Sequence, residues 1–416
     1  PLSLADEYNV YCTVYRSKII AGIEIGTSKV SVLIGEIAEG RSLNIIGLGQ
    51  SSSKGVLKGD IVDFHEASDC THAASLSAEE QAGVKIDGVY LAVGGSDIEG
   101  FSSEASVNVT SDSNRVTNEE IEHVAGLAIA REIAEDRGVI HHLRRPYRLD
   151  NRSGDTPLNM EGDRLEANYW TVHGNARKIG DAIHIINGFN LHVDDVVLGA
   201  LATGSIVTTE EEKRMGCIVI DIGKGATDFA VFQGGRCVLA GCLPLWGDHI
   251  SNDLSIGLRM RLKQAESIKH RYGSATVEHK NKGEKVWLNN DFEIGDRPVR
   301  LWSIEKIIEL RITEVFQVVQ KKLGTYGRSE RLSGGVVLSG GTSQLRNIEA
   351  CSEAVFGTHT RRGDNSALAT GELRDPQYSV VIGLLKYGLQ YQATGDEIEG
   401  RQSGLFGKLK RALSIG

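Results

Sequence analysis

No stretch of this 416-residue chain reaches the run of about 18 apolar residues that a membrane-spanning helix needs, and no signal-peptide core precedes a small-residue cleavage site. The chain is therefore expected to be cytoplasmic. Cysteine is sparse, six residues at 12, 70, 217, 237, 242 and 351, with no C-x-x-C pair and no Cys/His spacing suited to zinc. That pattern suits free thiols in a reducing compartment. Excess positive charge is also missing. A net charge of −9 argues against a general nucleic-acid binder, so no nucleic-acid partner is expected. His141 and His142 are adjacent, which points their rings in different directions, and they are read as core or surface residues rather than metal ligands. What remains is ordinary globular composition, 24% charged and 40% hydrophobic, in a chain long enough for two or more domains.

The most informative feature present is an internal repeat. IIAGIEIGTSKVSVLIGEI (19–37) and GCIVIDIGKGATDFAVFQGG (216–235) both read as apolar strand, acid-x-Gly turn and returning strand. Aligning Glu24 with Asp221 places Gly26 on Gly223, an offset of 221 − 24 = 197 residues. Glycine after the acid lets backbone N–H groups turn toward a polyphosphate with no Cβ in the way. An acid at the strand end is placed to hold the water shell of Mg²⁺, which favours oxygen ligands and keeps several waters. Two such hairpins facing each other can pinch a nucleotide.

The first hairpin continues into a strand at 43–50 and a helix over 60–82, the opening of an α/β domain. KIDGVYLAVGG (85–95) reads as an alternating strand, after which the chain turns polar. Thr117 with Glu120 forms a capping box that starts a helix over 117–136, and LEANYWTVHG (165–174) reads as a strand. The parent domain resumes with a helix at 175–188 and a strand at 193–200. In the second half, 262–273 is a helical run with Lys263, Glu266 and Lys269 or His270 along one side. Those groups suit either a ribose or adenine edge, or a solvated salt-bridged face. A strand-rich patch precedes a long helix at 303–323 whose stripe is Ile304, Ile307, Ile308, Ile312, Val315, Val319 and Leu323. GGVVLSGGTSQL (334–345) reads as a buried strand, a Gly-Gly turn and the start of a helix, and 376–391 as a helix that packs Gly383 against another backbone. The boundaries expected are an N-terminal extension to 17, a first-lobe core at 18–85 and 167–210, an insertion at 86–166, a second-lobe core at 211–246 and 325–375 with a small subdomain at 247–324, a closing helix of the first lobe at 376–392, a linker at 393–402 and a terminal segment at 403–416.

Hairpin, insertion, second hairpin, AESIKHRYG (265–273), LSGG (338–341) and IGLLKYG (382–388), with YLAVGG (90–95) and GALATGS (199–205), occur in an order that resembles the actin/Hsp70/sugar-kinase superfamily. Within it the chain is similar to the bacterial FtsA cell-division family, from about residue 18 onward. The resemblance implies an α/β, actin-like ATPase fold: two lobes around a nucleotide cleft, an inserted small α+β subdomain displaced from the position actin uses, and a C-terminal amphipathic helix. It also implies ATP with Mg²⁺ as ligands. Carried over position by position, the first phosphate loop is Glu24, Gly26, Thr27, Ser28 and Lys29. The second is Asp221, Gly223, Lys224, Gly225, Ala226 and Thr227. The nucleoside helix supplies Lys263, Glu266 and Lys269, and the adenosine loop Gly340, Gly341 and Thr342, with Glu24 and Asp221 holding Mg²⁺ through water. Lys224 and Ala226 depart from the family's second loop, which carries a glycine and a hydroxyl residue there. No general base stands out, so weak or absent ATP hydrolysis is expected.

The terminal segment SGLFGKLKRALSIG carries no acid. On a helix Leu405, Phe406, Leu409, Ala412 and Leu413 fall within an arc of about 120°, and Lys408, Lys410 and Arg411 outside it. A tethered basic amphipathic helix suits an anionic membrane interface, whereas a docked terminal helix is the alternative. The resemblance favours the anchor. It further implies self-association into actin-like filaments on the cytoplasmic face of the inner membrane at the septum, later divisome partners, and the tubulin-like protein FtsZ held through its C-terminal peptide. Candidate contacts for that peptide are Arg300, Lys306 and Arg311. A sugar or small-acid kinase, or a pilus-assembly scaffold without lipid binding, are the alternatives on the same superfold.

Overall fold

The computed structural model describes residues 18–38, 42–111, 113–245, 247–278, 283–288 and 297–395. The N-terminal extension to residue 17 and the amphipathic segment with Leu405, Phe406, Lys408, Leu409, Lys410, Arg411 and Leu413 lie outside the described residues.

The repeat read from two hairpins extends to two whole sheets. In the first, Leu43–Ser52, Lys29–Ile37 and Lys18–Ile25 form an antiparallel meander, and Gly88–Val93 and His192–Leu198 add in parallel beside Lys18–Ile25. In the second, Arg236–Leu243, Thr227–Gln233 and Cys217–Ile222 form the meander, and Gly335–Ser339 and Thr360–Arg362 add in parallel. Parallel neighbours require crossovers, and helices supply them: Phe64–Ala82 lies on the first sheet and Leu301–Leu323 on the core of the second lobe. Apart from Lys18 at one edge and the acids Glu24 and Asp221 near their ends, both central strands are apolar, as strands covered on two faces must be.

Each sheet hands a helix to the space between the lobes. Gly199–Val207 follows the first sheet, Ser379–Gly395 follows the second, and they pack with Gly383 against the backbone of Ala202, where a Cβ would collide with its carbonyl. The latter helix packs on the first sheet, and its last turn runs past the expected start of a linker at 393.

The third five-stranded sheet belongs to the insertion. Glu99–Asn108, Arg137–Arg144, Tyr147–Leu149, Arg152–Gly154 and Arg164–Asn175 form it, and Asn118–Ile129 packs on it. Its elements thus span 99–175 rather than the expected 86–166, because Gly88–Val93 is a central strand of the first sheet and the last strand of the insertion runs to Asn175. Thr117 and Glu120 make the capping box, but the helix stops at Ile129, not 136. The helix expected over 60–82 starts at Phe64, after an Asp63 cap, because Asp60–Ile61 pairs with Val56–Leu57. The insertion also caps the edge of the second sheet. Trp170 Nε1 donates to the Ala240 carbonyl at 2.7 Å and Arg145 Nε to the Val238 carbonyl at 3.1 Å, satisfying edge groups that would otherwise face water.

The long helix buries Ile304, Ile308, Ile312, Val315, Val319 and Leu323, with Ile307 half-buried. His141 is half-buried, its Nε2 accepts from the Leu198 amide at 3.1 Å, and desolvation lowers its pKa to about 4. His142 turns the other way to Thr171. Among the described residues five cysteines are free, and no helix is long and apolar enough to cross a membrane.

Candidate functional site: the cleft between two hairpins

The two hairpin turns close in the same way. Gly26 N–H donates to the Lys29 carbonyl at 3.1 Å, and Gly223 N–H to the Ala226 carbonyl at 3.0 Å. Both turns face a cavity of about 510 Å³ between the lobes. Its wall includes Glu24, Gly26, Thr27, Ser28 and Lys29 from the first turn and Asp221, Gly223, Lys224, Gly225 and Ala226 from the second. Glu266, Lys269, Gly340, Gly341 and Thr342 complete that group.

Two expected residues are elsewhere. Thr227 is fully buried and its hydroxyl donates to the Leu245 carbonyl, so it faces away from the cavity. Lys263, one turn before Glu266, is exposed and off the cavity wall. The Gly-Gly turn leads into a short 3₁₀ turn, Gly341–Gln344, rather than an α-helix, because Gly340 at φ +80° redirects the chain over the Asp221 carboxylate. The α-helix begins only at Ile348.

Three buried carboxyls near the converging loops, Glu24, Asp221 and Asp228, lie within reach of one another's charge. Burial pushes Glu24 up to about 8, the nearby Asp221 and Asp228 adding to the rise and Lys29 opposing it. Burial raises Asp221 to about 6 against hydrogen bonds from Thr203 and Ser339, and Asp228 to about 7 against one from Cys242. Asp228 Oδ1 is buried with no hydrogen-bond partner, and Gly94 and Gly199 lie close enough that a Cβ on either would touch that carboxylate. Carboxyls held this far above their ordinary range are short of positive charge, and a carboxyl near 7 can exchange a proton at neutral pH. Asp228 belongs to no expected loop, yet the repeat finds it. Ser31 pairs across the first hairpin with Glu24, Asp228 pairs across the second with Asp221, and the 197-residue offset carries one onto the other (228 − 31 = 197).

The cations are arranged around this cluster. Lys29 Nζ donates to Gln377 Oε1 at 3.0 Å and lies 3.9 Å from the Tyr378 ring centre, and burial lowers its pKa. Lys224 reaches toward Asp248, 3.9 Å away, at the start of the helix Gly247–Gly257, and is partly exposed. Lys269 is buried, donating to Glu266 at 2.9 Å, Ser251 Oγ at 3.0 Å and the Gly247 carbonyl at 3.4 Å. Burial works against the ionised form of Glu266, but hydrogen bonds from Ser251, Lys269 and His270 outweigh it and keep its pKa low. Of the helical face over 262–273, Glu266 and Lys269 are therefore organised at the cavity. Arg346, which no motif marks, closes this end by donating to the carbonyls of Tyr272 and Gly273.

The cations expected to meet a peptide lie away from the cleft, on the long helix. Arg311 is committed to Asp253 at 2.5 and 3.0 Å and to Glu314 at 2.6 Å, and Lys306 to Glu309 at 2.5 Å. Arg300 is exposed at the helix start. Among the described residues no group of three or more His, Cys, Asp or Glu side chains is arranged to hold a metal ion.

A family model described as "Cell division protein FtsA" matches residues 218–383, and one described as "SHS2 domain inserted in FTSA" matches 95–173. The Cell division protein FtsA of Pseudomonas aeruginosa is 34% identical over 389 residues, 92% of this chain and 92% of that protein. The chain belongs to the FtsA cell-division family. The Escherichia coli FtsA is 31% identical over 413 residues, 95% of this chain and 97% of that protein. Among solved structures, the PilM-PilN type IV pilus biogenesis complex aligns with a TM-score of 0.61 at 15% identity, over 89% of this chain and 98% of that one. MreB5 of Spiroplasma citri, solved with ADP, aligns with a TM-score of 0.54 at 14% identity, over 92% of this chain and 99% of that one. These likenesses establish the actin-like fold, and the SHS2 match over 95–173 agrees with the insertion's observed sheet more closely than the bounds read from sequence.

Proposed function

We propose that this FtsA-family chain binds ATP with Mg²⁺ in the cleft between its lobes, self-associates as an actin-like filament on the cytoplasmic face of the inner membrane at the septum, and tethers FtsZ there while later divisome proteins join. The observation that carries the nucleotide reading is the cavity itself. Two acid-x-Gly turns, a Gly-Gly turn and the Glu266–Lys269 pair line one space of nucleotide size, and the unpartnered Asp228 oxygen in the carboxylate cluster calls for a cation. MreB5 of Spiroplasma citri has been solved with ADP and with AMPPNP, which supports a nucleotide in a cleft of this architecture.

Glu24 and Asp221 would hold Mg²⁺ through its water shell, with Asp228 beside them. When bound, the ion neutralises phosphate oxygens and relieves the carboxylates. The glycines at 26, 223 and 225 bring backbone close to the phosphates, Lys29 and Lys224 supply positive charge, Gly340, Gly341 and Thr342 face the adenosine, and Glu266 with Lys269 suits the ribose hydroxyls. Asp228, raised to about 7, is placed to hold a proton at the phosphate end. Slow hydrolysis fits a second loop in which Ala226 offers no hydroxyl and Thr227 faces away.

The membrane reading rests on the basic amphipathic segment 403–416, and the FtsZ reading on the family with Arg300 as its exposed cation, since Lys306 and Arg311 would have to leave their carboxylate partners. One such helix binds marginally, so a filament carrying many copies would hold far better than a monomer. The test is co-sedimentation with anionic liposomes and MgATP, comparing the full chain with one ending at Gln402, each with and without FtsZ. The full chain should pellet and carry FtsZ down, and the shortened chain should stay in solution. Both chains remaining soluble would sink the anchor and leave a scaffold or kinase.

A further inference from the structure

The inserted subdomain is joined to the first lobe at two points, its lead-in at Gly94–Asp97 and its return at Asn175–Lys178, and one ammonium group spans both. Lys178 Nζ donates to Asp60 Oδ2 at 2.7 Å and pairs with the Asp97 carboxylate. Burial works against that charge, but the hydrogen bonds to Asp60 and Asp97 outweigh it and raise the Lys178 pKa. Arg137, inside the insertion, continues the layer by donating to the Asp97 carbonyl at 2.7 Å and to His173 Nδ1 at 2.9 Å.

Asp60 is next to a residue that the phosphate loop holds. Gly59 N–H donates to Thr27 Oγ1 at 3.0 Å, and Gly59, at φ +81°, rests against Gly95, at φ +115°, so tightly that a Cβ on Gly59 would lie 2.9 Å from the Gly95 Cα. Thr27 in turn abuts the second phosphate loop, where a Cβ on Gly225 would collide with its hydroxyl. On the nucleotide reading, a polyphosphate seated between the hairpins would press on the contact between Thr27 and Gly225. Thr27 carries Gly59 with it, and close glycine packing leaves no slack between Gly59, Gly95 and the lead-in.

We infer that the Asp60–Lys178–Asp97 cluster is the joint through which a nucleotide in the cleft sets the seating of the inserted subdomain, so that occupancy of the phosphate site is read out on the surface of the insertion. The inference rests on the nucleotide reading above. A purely structural salt bridge makes a different prediction. Partly exposed ion pairs contribute little to stability, so losing one should change neither nucleotide binding nor its effect on the insertion. A coupling joint would leave binding and fold largely intact while uncoupling the two regions.

Hydrogen–deuterium exchange of the full chain, free and with MgADP or MgATP, separates these. Wild type, Lys178→Met, Asp97→Asn and Lys178→Arg are compared, and MgATP affinity is measured in parallel by calorimetry. Wild type should show a MgATP-dependent change in exchange within 97–108 and 137–144. Lys178→Met and Asp97→Asn should bind MgATP within about threefold of wild type and lose at least about half of that change, and Lys178→Arg should retain it. Should Lys178→Met fail to fold, Asp97→Asn carries the same comparison. Full retention of the change in both charge-removing variants would overturn the inference, as would MgATP binding by wild type with no change in those strands. Failure of wild type to bind MgATP would instead overturn the nucleotide reading, and this inference with it.

Discussion

Replacing Glu24 by Gln should stabilise the nucleotide-free protein at alkaline pH while weakening MgATP binding. The effect is one of proton linkage. In the unfolded chain this carboxyl titrates near its ordinary 4.5, and in the fold burial beside Asp221 and Asp228 holds it at about 8. Between those values the folded state keeps a proton that the unfolded state releases, so stability falls as pH rises from about 4.5 and levels off above about 8. A tenfold difference in proton affinity between folded and unfolded chain is worth about 1.4 kcal/mol, giving a ceiling of about 5 kcal/mol. Glu24 faces an open cleft, where solvent screens part of the effect, so a gain of roughly 1–3 kcal/mol is expected at pH 8.5. For a lobe of this size that is a rise of about 2–10 °C in the thermal midpoint. At pH 5 the folded carboxyl is already protonated, Gln is its close mimic, and the gain should shrink below about 1 kcal/mol. Scanning calorimetry of the full chain in EDTA at pH 5, 6.5 and 8.5 would read this directly. An equal gain at pH 5 and pH 8.5, or a loss at pH 8.5, would refute the assignment of strain to the carboxylate cluster. If the cleft holds MgATP as proposed, the same variant should bind it more weakly, because the charge that burdens the empty fold is the one the hydrated metal would use.

Four further variants test the frame of the lobes and the insertion. Gly383→Ala places a methyl against the Ala202 carbonyl between the two cross-lobe helices, and overpacking there should cost about 1–3 kcal/mol or more, seen as a lower thermal midpoint. Thr117→Ala removes the cap of the insertion's helix and should cost about 0.5–2 kcal/mol, read as faster amide exchange over 118–129. Its partner Glu120 is held below the usual carboxylate range by the amides of Thr110 and Thr117, so its contribution is present above pH 4.5 and lost as pH falls through the lowered value. Acid should therefore loosen that helix in wild type and have less effect in Glu120→Gln. Trp170→Phe removes the donor to the Ala240 carbonyl and should cost about 1 kcal/mol, with faster exchange along Arg236–Leu243.

What the sequence disclosed follows from which physical rules are local. The acid-x-Gly turns, the buried stripe of the long helix and the Thr117 capping box are each set by residues a few positions apart, and they stand in the structure where the periodicity puts them. Bounds failed where a tertiary neighbour decides. Gly88–Val93 has the same alternating texture whether it opens an insertion or fills a sheet, and only pairing with Lys18–Ile25 settles which. Thr227 illustrates the same limit at the site. Its place in the motif is right, but its hydroxyl is taken by the Leu245 carbonyl, a partner 18 positions along the chain.

Asp228 is a different case, because the repeat itself marks the position. The offset that pairs Glu24 with Asp221 also pairs Ser31 with Asp228, and each sits directly across its hairpin from the acid. Ser31 Oγ and Asp228 Oδ1 are both buried without a hydrogen-bond partner, so the duplicated fold leaves the same position unsatisfied in each half. Only the second copy carries a charge there. The duplication thus supplies two equivalent frames, and the character of the cleft comes from where they differ: Glu24 against Asp221, Ser31 against Asp228, and an insertion between Gly88–Val93 and His192–Leu198 of the first sheet, rooted beside the first acid-x-Gly turn. On the proposed coupling, that asymmetry would give a signal from bound phosphate a short route to the insertion through Thr27 and Gly59.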